Sequence, residues 1–189
     1  MPTLYIIAGC NGAGKTTASM TLLPEILNCK EFVNADSIAA GLSPFHPEGV
    51  SFEAGRLMLQ RMEYLISQKE TFAIETTLTT ISYRNTIAKS KTLGYEVTLI
   101  YFWLNNVDLA LQRIAHRVKK GGHNVSEDVV KRRYSKGISN FIKIFAPIVN
   151  SWMVFDNSGK KPVLVAEHKL LEKFIHRQKL WNNFLENDI

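Results

Sequence analysis

Cysteine is scarce: Cys10 and Cys29 are the only two in 189 residues, and no Cys/His pairs stand at metal-ligand spacing. This excludes a disulfide framework and a structural zinc site, so stability has to come from packing. Long apolar runs are missing as well. No stretch approaches the ~18 uninterrupted apolar residues of a membrane span, and Met1-Pro2-Thr3-Leu4 shows no basic region leading into a secretory core. A cytoplasmic protein without membrane contact is the expectation. Glycine (11) and proline (6) are too few, and hydrophobic residues at 46% too many, for collagen-like, low-complexity or disordered sequence. No repeat, linker or shift in composition divides the chain, and its length suits one α/β domain spanning 1–189.

Acidic residues are outnumbered by basic ones, and the net charge of +6 is concentrated. Arg113, Arg117, Lys119, Lys120, Lys131, Arg132, Arg133 and Lys136 face only Glu127 and Asp128 in that stretch, while the rest of the chain is balanced. Such a segment suits a nucleic acid or a polyphosphate. Nucleic-acid binding favours an extended basic surface with exposed aromatics, whereas this cluster flanks Gly121-Gly122 in an otherwise neutral chain; nucleic acid is therefore the disfavoured partner.

Leu4-Tyr5-Ile6-Ile7-Ala8 is a short apolar run ending in glycine, as expected of a central strand buried on both faces of a parallel sheet. Helix is predicted from Lys15 to Leu23, with Pro24 interrupting it, and further strands at Glu31–Asn34, Thr71–Ile74, Tyr95–Leu104, Trp152–Asp156 and Val163–Ala166. Between them, helical spacing covers Glu53–Gln68 and Thr79–Leu93, the latter closed by Gly94, and a helix capped by Asn106-Val107-Asp108 runs to Lys120. Ser126-Glu127-Asp128 opens another. The tail from His168 to Leu185 places Leu170, Leu171, Phe174, Ile175, Trp181, Phe184 and Leu185 on one face and is predicted as a packing helix. Alternating strands and helices predict an α/β fold with a doubly wound, mainly parallel sheet and helices on both faces.

Gly9-Cys10-Asn11-Gly12-Ala13-Gly14-Lys15-Thr16 matches G-x-x-x-x-G-K-[ST] between a predicted strand and a predicted helix. The glycines let successive backbone N–H groups point at phosphate oxygens, Lys15 reaches the β- and γ-phosphates, and the Thr16 hydroxyl ligates Mg²⁺. This is the signature of the P-loop NTPase fold with ATP and Mg²⁺ as cofactors. Cys10 reads as a small packing residue. Asp36 follows the second strand, where ligands of open α/β sheets bind; it either takes a proton from a substrate hydroxyl or caps the turn Ser37-Ile38-Ala39. Glu75-Thr76-Thr77 follows another strand: Glu75 suits a Mg²⁺-bound water or a substrate hydroxyl and the threonines a substrate phosphate, with plain strand-end polarity as the alternative. Arg113 and Arg117 share a helix face. With Gly121-Gly122, His123, Arg132 and Arg133 they have the charge and mobile backbone of a phosphoryl-transfer lid at about 119–136.

Together these stretches, with Gly121-Gly122-His123-Asn124-Val125 and Phe155-Asp156-Asn157-Ser158, resemble the zeta-toxin family of P-loop kinases, in its short stand-alone bacterial members. The resemblance implies an ATP-dependent kinase transferring the γ-phosphoryl group to a small-molecule hydroxyl, as in relatives that phosphorylate the aminosugar of UDP-N-acetylglucosamine. It implies Asp36 as base and Lys15, Arg113 and Arg117 as further catalytic groups. Gly9, Asn11, Gly12, Ala13, Gly14, Lys15, Thr16, Thr17, Arg132 and Asn157 would bind the nucleotide, with Asn157-Ser158 near the adenine. Asp36, Glu75, Thr76 and Thr77 would bind the acceptor, and Thr16 and Glu75 the metal. An antitoxin encoded elsewhere is the implied protein partner.

Overall fold

Leu4, Ile6, Ile7 and Ala8 carry no exposed surface, so the strand they form, β1 (Thr3–Ala8), can only lie inside a sheet covered on both faces. A computed structural model of the protein describes residues 1–119, 121–122 and 124–187. In it β1 pairs in parallel with β3 (Phe72–Thr76) on one side and β4 (Glu96–Trp103) on the other. β2 (Glu31–Val33) extends the sheet beyond β3, and β5 (Ser151–Asp156) extends it beyond β4, all parallel. β6 (Val163–Lys169) and β7 (Glu172–Ile175) add an antiparallel edge, giving the order β2-β3-β1-β4-β5-β6-β7.

Among the described residues, seven α-helices connect and cover these strands: α1 (Lys15–Thr21), α2 (Ala35–Leu42), α3 (Ser51–Ser67), α4 (Tyr83–Thr92), α5 (Val107–Lys119), α6 (Glu127–Asn140) and α7 (Gln178–Glu186). The Asn106 side chain accepts from the Asp108 N–H to start α5. At the far end Gly121 takes φ 83, with its N–H on the Val118 carbonyl and that of Gly122 on the Arg117 carbonyl. This pair of bonds is a Schellman cap, so the two glycines end the helix by satisfying its last carbonyls. The switch of strand order at β1 leaves a crevice beyond the carboxyl ends of β1, β2 and β3.

Two expectations need correction. The tail is not one helix: His168 belongs to β6, Leu170 and Leu171 form a two-residue turn with φ 53 and 66, and helix resumes only at Gln178. Apolar residues at 170, 171, 174 and 175 mimic helical spacing, yet pairing of β7 with β6 prevails and leaves Leu170 and Leu171 in solvent. Of the seven residues assigned to the buried face, Trp181 and Phe184 reach the core, where they meet Trp152, Tyr101 and Phe141. The second correction concerns Ser37-Ile38-Ala39, read as a turn, which is part of a helix, α2, that carries Asp36 on its first turn.

Candidate active site

Glycine is compulsory where the loop after β1 turns back on the core. At Gly9 (φ 140) a Cβ would lie 2.1 Å from the Phe102 carbonyl oxygen, and at Gly14 (φ 80) 2.7 Å from Asn157 Nδ2. No side chain fits either position, and the loop therefore runs with its backbone against β4 and the segment following β5. The Asn157 side chain donates to the Ala13 carbonyl (2.7 Å), tying that segment to the loop. Burial pushes the Cys10 thiol up to about 11, so Cys10 remains neutral and acts as packing.

Lys15 is buried, and its ammonium donates to the Cys10 carbonyl (3.1 Å) and lies 3.6 Å from Glu75 Oε1. The other carboxylate oxygen of Glu75 accepts from the Thr16 hydroxyl and from Asn34 Nδ2, both at 2.7 Å. Glu75 is carried by β3 and Asn34 by the end of β2, so the parallel register that sets Val33 beside Ile74 brings the next pair together. Asn34 also caps α2: its Oδ1 accepts the Ser37 N–H at 3.0 Å. Asp36 is thus released from capping and stands exposed on the first turn of α2, facing the crevice. A cleft of about 890 Å³ joins Asn11, Gly12, Gly14 to Ala18, Asn34, Asp36, Ser37, Ala40, Glu75, Arg113, His116, Arg117, Gly122, Asn157, Gly159, Lys160 and Pro162.

The basic residues divide by where their donors go. Arg113 spends its guanidinium on three backbone carbonyls, those of Gly12 (3.5 Å), Asn157 (2.9 Å) and Ser158 (3.2 Å), and so ties the loop after β1 to the segment after β5. Arg117 is exposed and lines the cleft beside Gly122. On α6, Arg132 points to solvent, whereas Arg133 is half-buried and donates to Asn11 Oδ1 at 3.1 Å. Burial lowers the Arg133 pKa from its ordinary value, partly countered by the Asp36 carboxylate, which favours its charge. Thr76 and Thr77 do not line the cleft: the Thr76 hydroxyl accepts the Leu78 N–H and that of Thr77 pairs with Thr79.

Residues 127–136 of the expected lid lie on α6. Tyr134 accepts from Trp103 Nε1 (3.2 Å) and donates to the Leu104 carbonyl (2.6 Å), Asn140 donates to the Leu78 carbonyl (2.8 Å), and Gly137 lies close against Thr77. These contacts bolt α6 to the sheet, Arg133 included. Lys120 and His123, both assigned to the lid, lie outside the described residues. Asn34, Ser37, His116 and Lys160 are cleft residues that sequence reasoning missed. Only Asn34, standing before Ala35-Asp36-Ser37 as a capping residue type, carried a usable signal.

The donor set suits hard ligands. Glycine-turned backbone, a buried ammonium and the end of α1 fit phosphate oxygens, and a hydroxyl beside a carboxylate fits a magnesium-like cation that takes its remaining ligands from phosphate and water.

Residues 1–167 match the family model described as Zeta toxin. The chain is 34% identical over 126 residues to an uncharacterized protein of Haemophilus influenzae, a match covering 67% of this chain and 88% of that protein. Among solved structures it is similar to the AvrRxo1-ORF1:AvrRxo1-ORF2 complex, seen with sulphate ions (TM-score 0.83) and with ATP (0.78), at 18% identity. That match covers 100% of this chain, which spans only 65% of the AvrRxo1 chain. It is also similar to the PezAT chromosomal toxin–antitoxin system of Streptococcus pneumoniae, with a TM-score of 0.70 and 18% identity over 98% of this chain and 79% of that one. These structural likenesses show a shared fold.

Proposed function

Because this chain belongs to the zeta-toxin family, we propose that it is an ATP-dependent kinase transferring the γ-phosphoryl group to a hydroxyl of a small molecule. The observation that carries the proposal is the convergence of Lys15, Thr16, Glu75 and Asp36 on one cleft from three separate segments of the chain. In a P-loop kinase, catalysis is mostly positioning and charge stabilisation. Here the loop backbone and Lys15 would hold the phosphates. Thr16 and Glu75 would hold Mg²⁺, which neutralises phosphate charge when bound. Asp36, exposed in the cleft and no longer a cap, accepts the proton of the acceptor hydroxyl.

Arg133, fixed by α6 beside Asn11 and within the field of Asp36, supplies positive charge from the wall of the site. Arg117 supplies it from the end of α5, beside Gly122 at the rim of the cleft. Arg113 acts at one remove, keeping the loop and the Asn157-Ser158 segment together so that the nucleoside side of the cleft stays shaped. Turning Arg113 and Arg133 inward also supports a phosphotransfer site over a nucleic-acid surface.

For the acceptor we infer a nucleotide sugar such as UDP-N-acetylglucosamine, on the family's precedent. The AvrRxo1 and PezAT structures contain toxin–antitoxin or paired-chain assemblies, and this supports an antitoxin partner for the present chain. No helix among the described residues is long and apolar enough to cross a membrane. The deciding experiment incubates the protein with ATP, Mg²⁺ and either a bacterial metabolite extract or UDP-N-acetylglucosamine alone. Mass spectrometry then searches for an acceptor that has gained one phosphoryl group. A product from the extract but not from the sugar nucleotide would redirect the acceptor; no product from either would refute the kinase.

A further inference from the structure

The carboxylates of Glu75 and Asp36 belong to different segments, yet a single buried side chain touches the first and fixes the helix turn that carries the second. Asn34 is 5% exposed and uses both ends of its amide: Nδ2 donates to Glu75 Oε2 at 2.7 Å, and Oδ1 accepts the Ser37 N–H at 3.0 Å. The Ser37 N–H needs an acceptor, and this decides which way the amide points.

We propose that Asn34 is a positioning residue that holds Glu75 in its cation-binding orientation and sets Asp36 at a fixed place beside it; the proposal rests on the kinase reading of the same site. Among the described residues, three groups pin Glu75 here: Lys15, Thr16 and Asn34. Two of them have other tasks once nucleotide binds, because Lys15 meets phosphate and Thr16 must present an oxygen lone pair to the cation. Asn34 has no such task. It is the contact that persists in the loaded site and keeps the carboxylate aimed.

Capping alone does not demand asparagine, since Asp and Ser cap about as well. What asparagine adds is a donor and an acceptor on one short side chain. Aspartate would keep the cap but set a third carboxylate against Glu75. Serine would keep the cap and fall short of it.

Asn34→Asp and Asn34→Ser separate the two roles. Melting without ligand is expected to shift by only a few degrees in both. Calorimetric titration of ATP with and without Mg²⁺ is expected to show the metal-dependent gain in affinity reduced at least about tenfold in Asn34→Ser, the size of one hydrogen bond to a charged group. The loss is larger in Asn34→Asp at neutral pH.

Wild-type metal dependence in both variants would overturn the proposal and leave Asn34 a simple cap. A ligand-free control is the double-mutant cycle of Asn34→Ser with Glu75→Gln, read by melting. Non-additive shifts support the link between the two side chains, and additive shifts overturn it. Failure of the wild type to bind ATP would instead refute the kinase reading, so the two failures are distinguishable.

Discussion

Replacing Asp36 by asparagine isolates the proton-accepting role, because the structure has moved the helix cap to Asn34. The substitution keeps size and hydrogen-bonding shape while removing a negative charge from the first turn of α2. Loss of that charge from the helix N-terminus costs about 0.3–1 kcal/mol. In a domain of this size 1 kcal/mol moves the melting temperature by about 2–4 °C, so Tm is expected to fall by no more than ~4 °C. Affinity for ATP rests on the loop and on Lys15. The attraction between the exposed Asp36 carboxylate and the half-buried Arg133 is partly screened by solvent, and its removal changes affinity by no more than a factor of about five, equivalent to ~1 kcal/mol.

Turnover is expected to fall far more. A positioned base contributes roughly 10² to 10⁴ in rate, or about 2.7–5.4 kcal/mol of barrier at 1.36 kcal/mol per decade. The assay measures initial rates of ADP release, with the acceptor identified by mass spectrometry, alongside calorimetric ATP binding and thermal melting. Turnover within a few-fold of wild type, with folding intact, would refute Asp36 as the base.

Lys15→Met removes the ammonium but keeps an unbranched apolar stem in the buried site; ATP affinity is expected to drop roughly ten- to a hundredfold, as for a lost hydrogen bond to a charged group, while Tm shifts by only a few degrees. Calorimetry and melting check both. Arg113→Ala strands three carbonyls and is expected to cost ~1–3 kcal/mol, visible as a lower Tm together with weaker ATP binding, and Arg113→Lys should not restore either because lysine lacks the planar fork. Lost turnover with unchanged Tm would instead place Arg113 on the phosphates. At the sheet edge, burial opposes ionisation of Glu167, but bonds from His176 and Lys169 prevail and hold it below its ordinary value of 4.5. Its contribution is fully present above that unfolded value and is lost as pH falls through the lower folded value. Glu167→Gln is therefore expected to flatten part of the fall in Tm on acidification below about 4.5.

Local chemistry was enough to read the centre of this protein. A strand buried on both faces, a glycine loop that admits no side chains and a helix beginning at Lys15 are consecutive in the chain, and each follows from its own residues. The position of Glu75 at the end of β3 and of Asp36 just beyond β2 was legible for the same reason. Relations between distant segments were not. The contacts of Glu75 with Thr16 and Asn34 span 59 and 41 residues and exist because parallel strands set two ends side by side. Adjacent arginines at 132 and 133 are alike in sequence; only the docking of α6 through Tyr134, Gly137 and Asn140 turns one to solvent and the other to Asn11. Arg113 read as a phosphate ligand from its helix face, and only the path of the Asn157-Ser158 segment makes it a clamp on carbonyls. The tail misled for a related reason: its apolar spacing suits a helix, but residues 172–175 pair along β6 at the edge of the sheet, and such pairing depends on a strand's neighbour in space more than on its own composition.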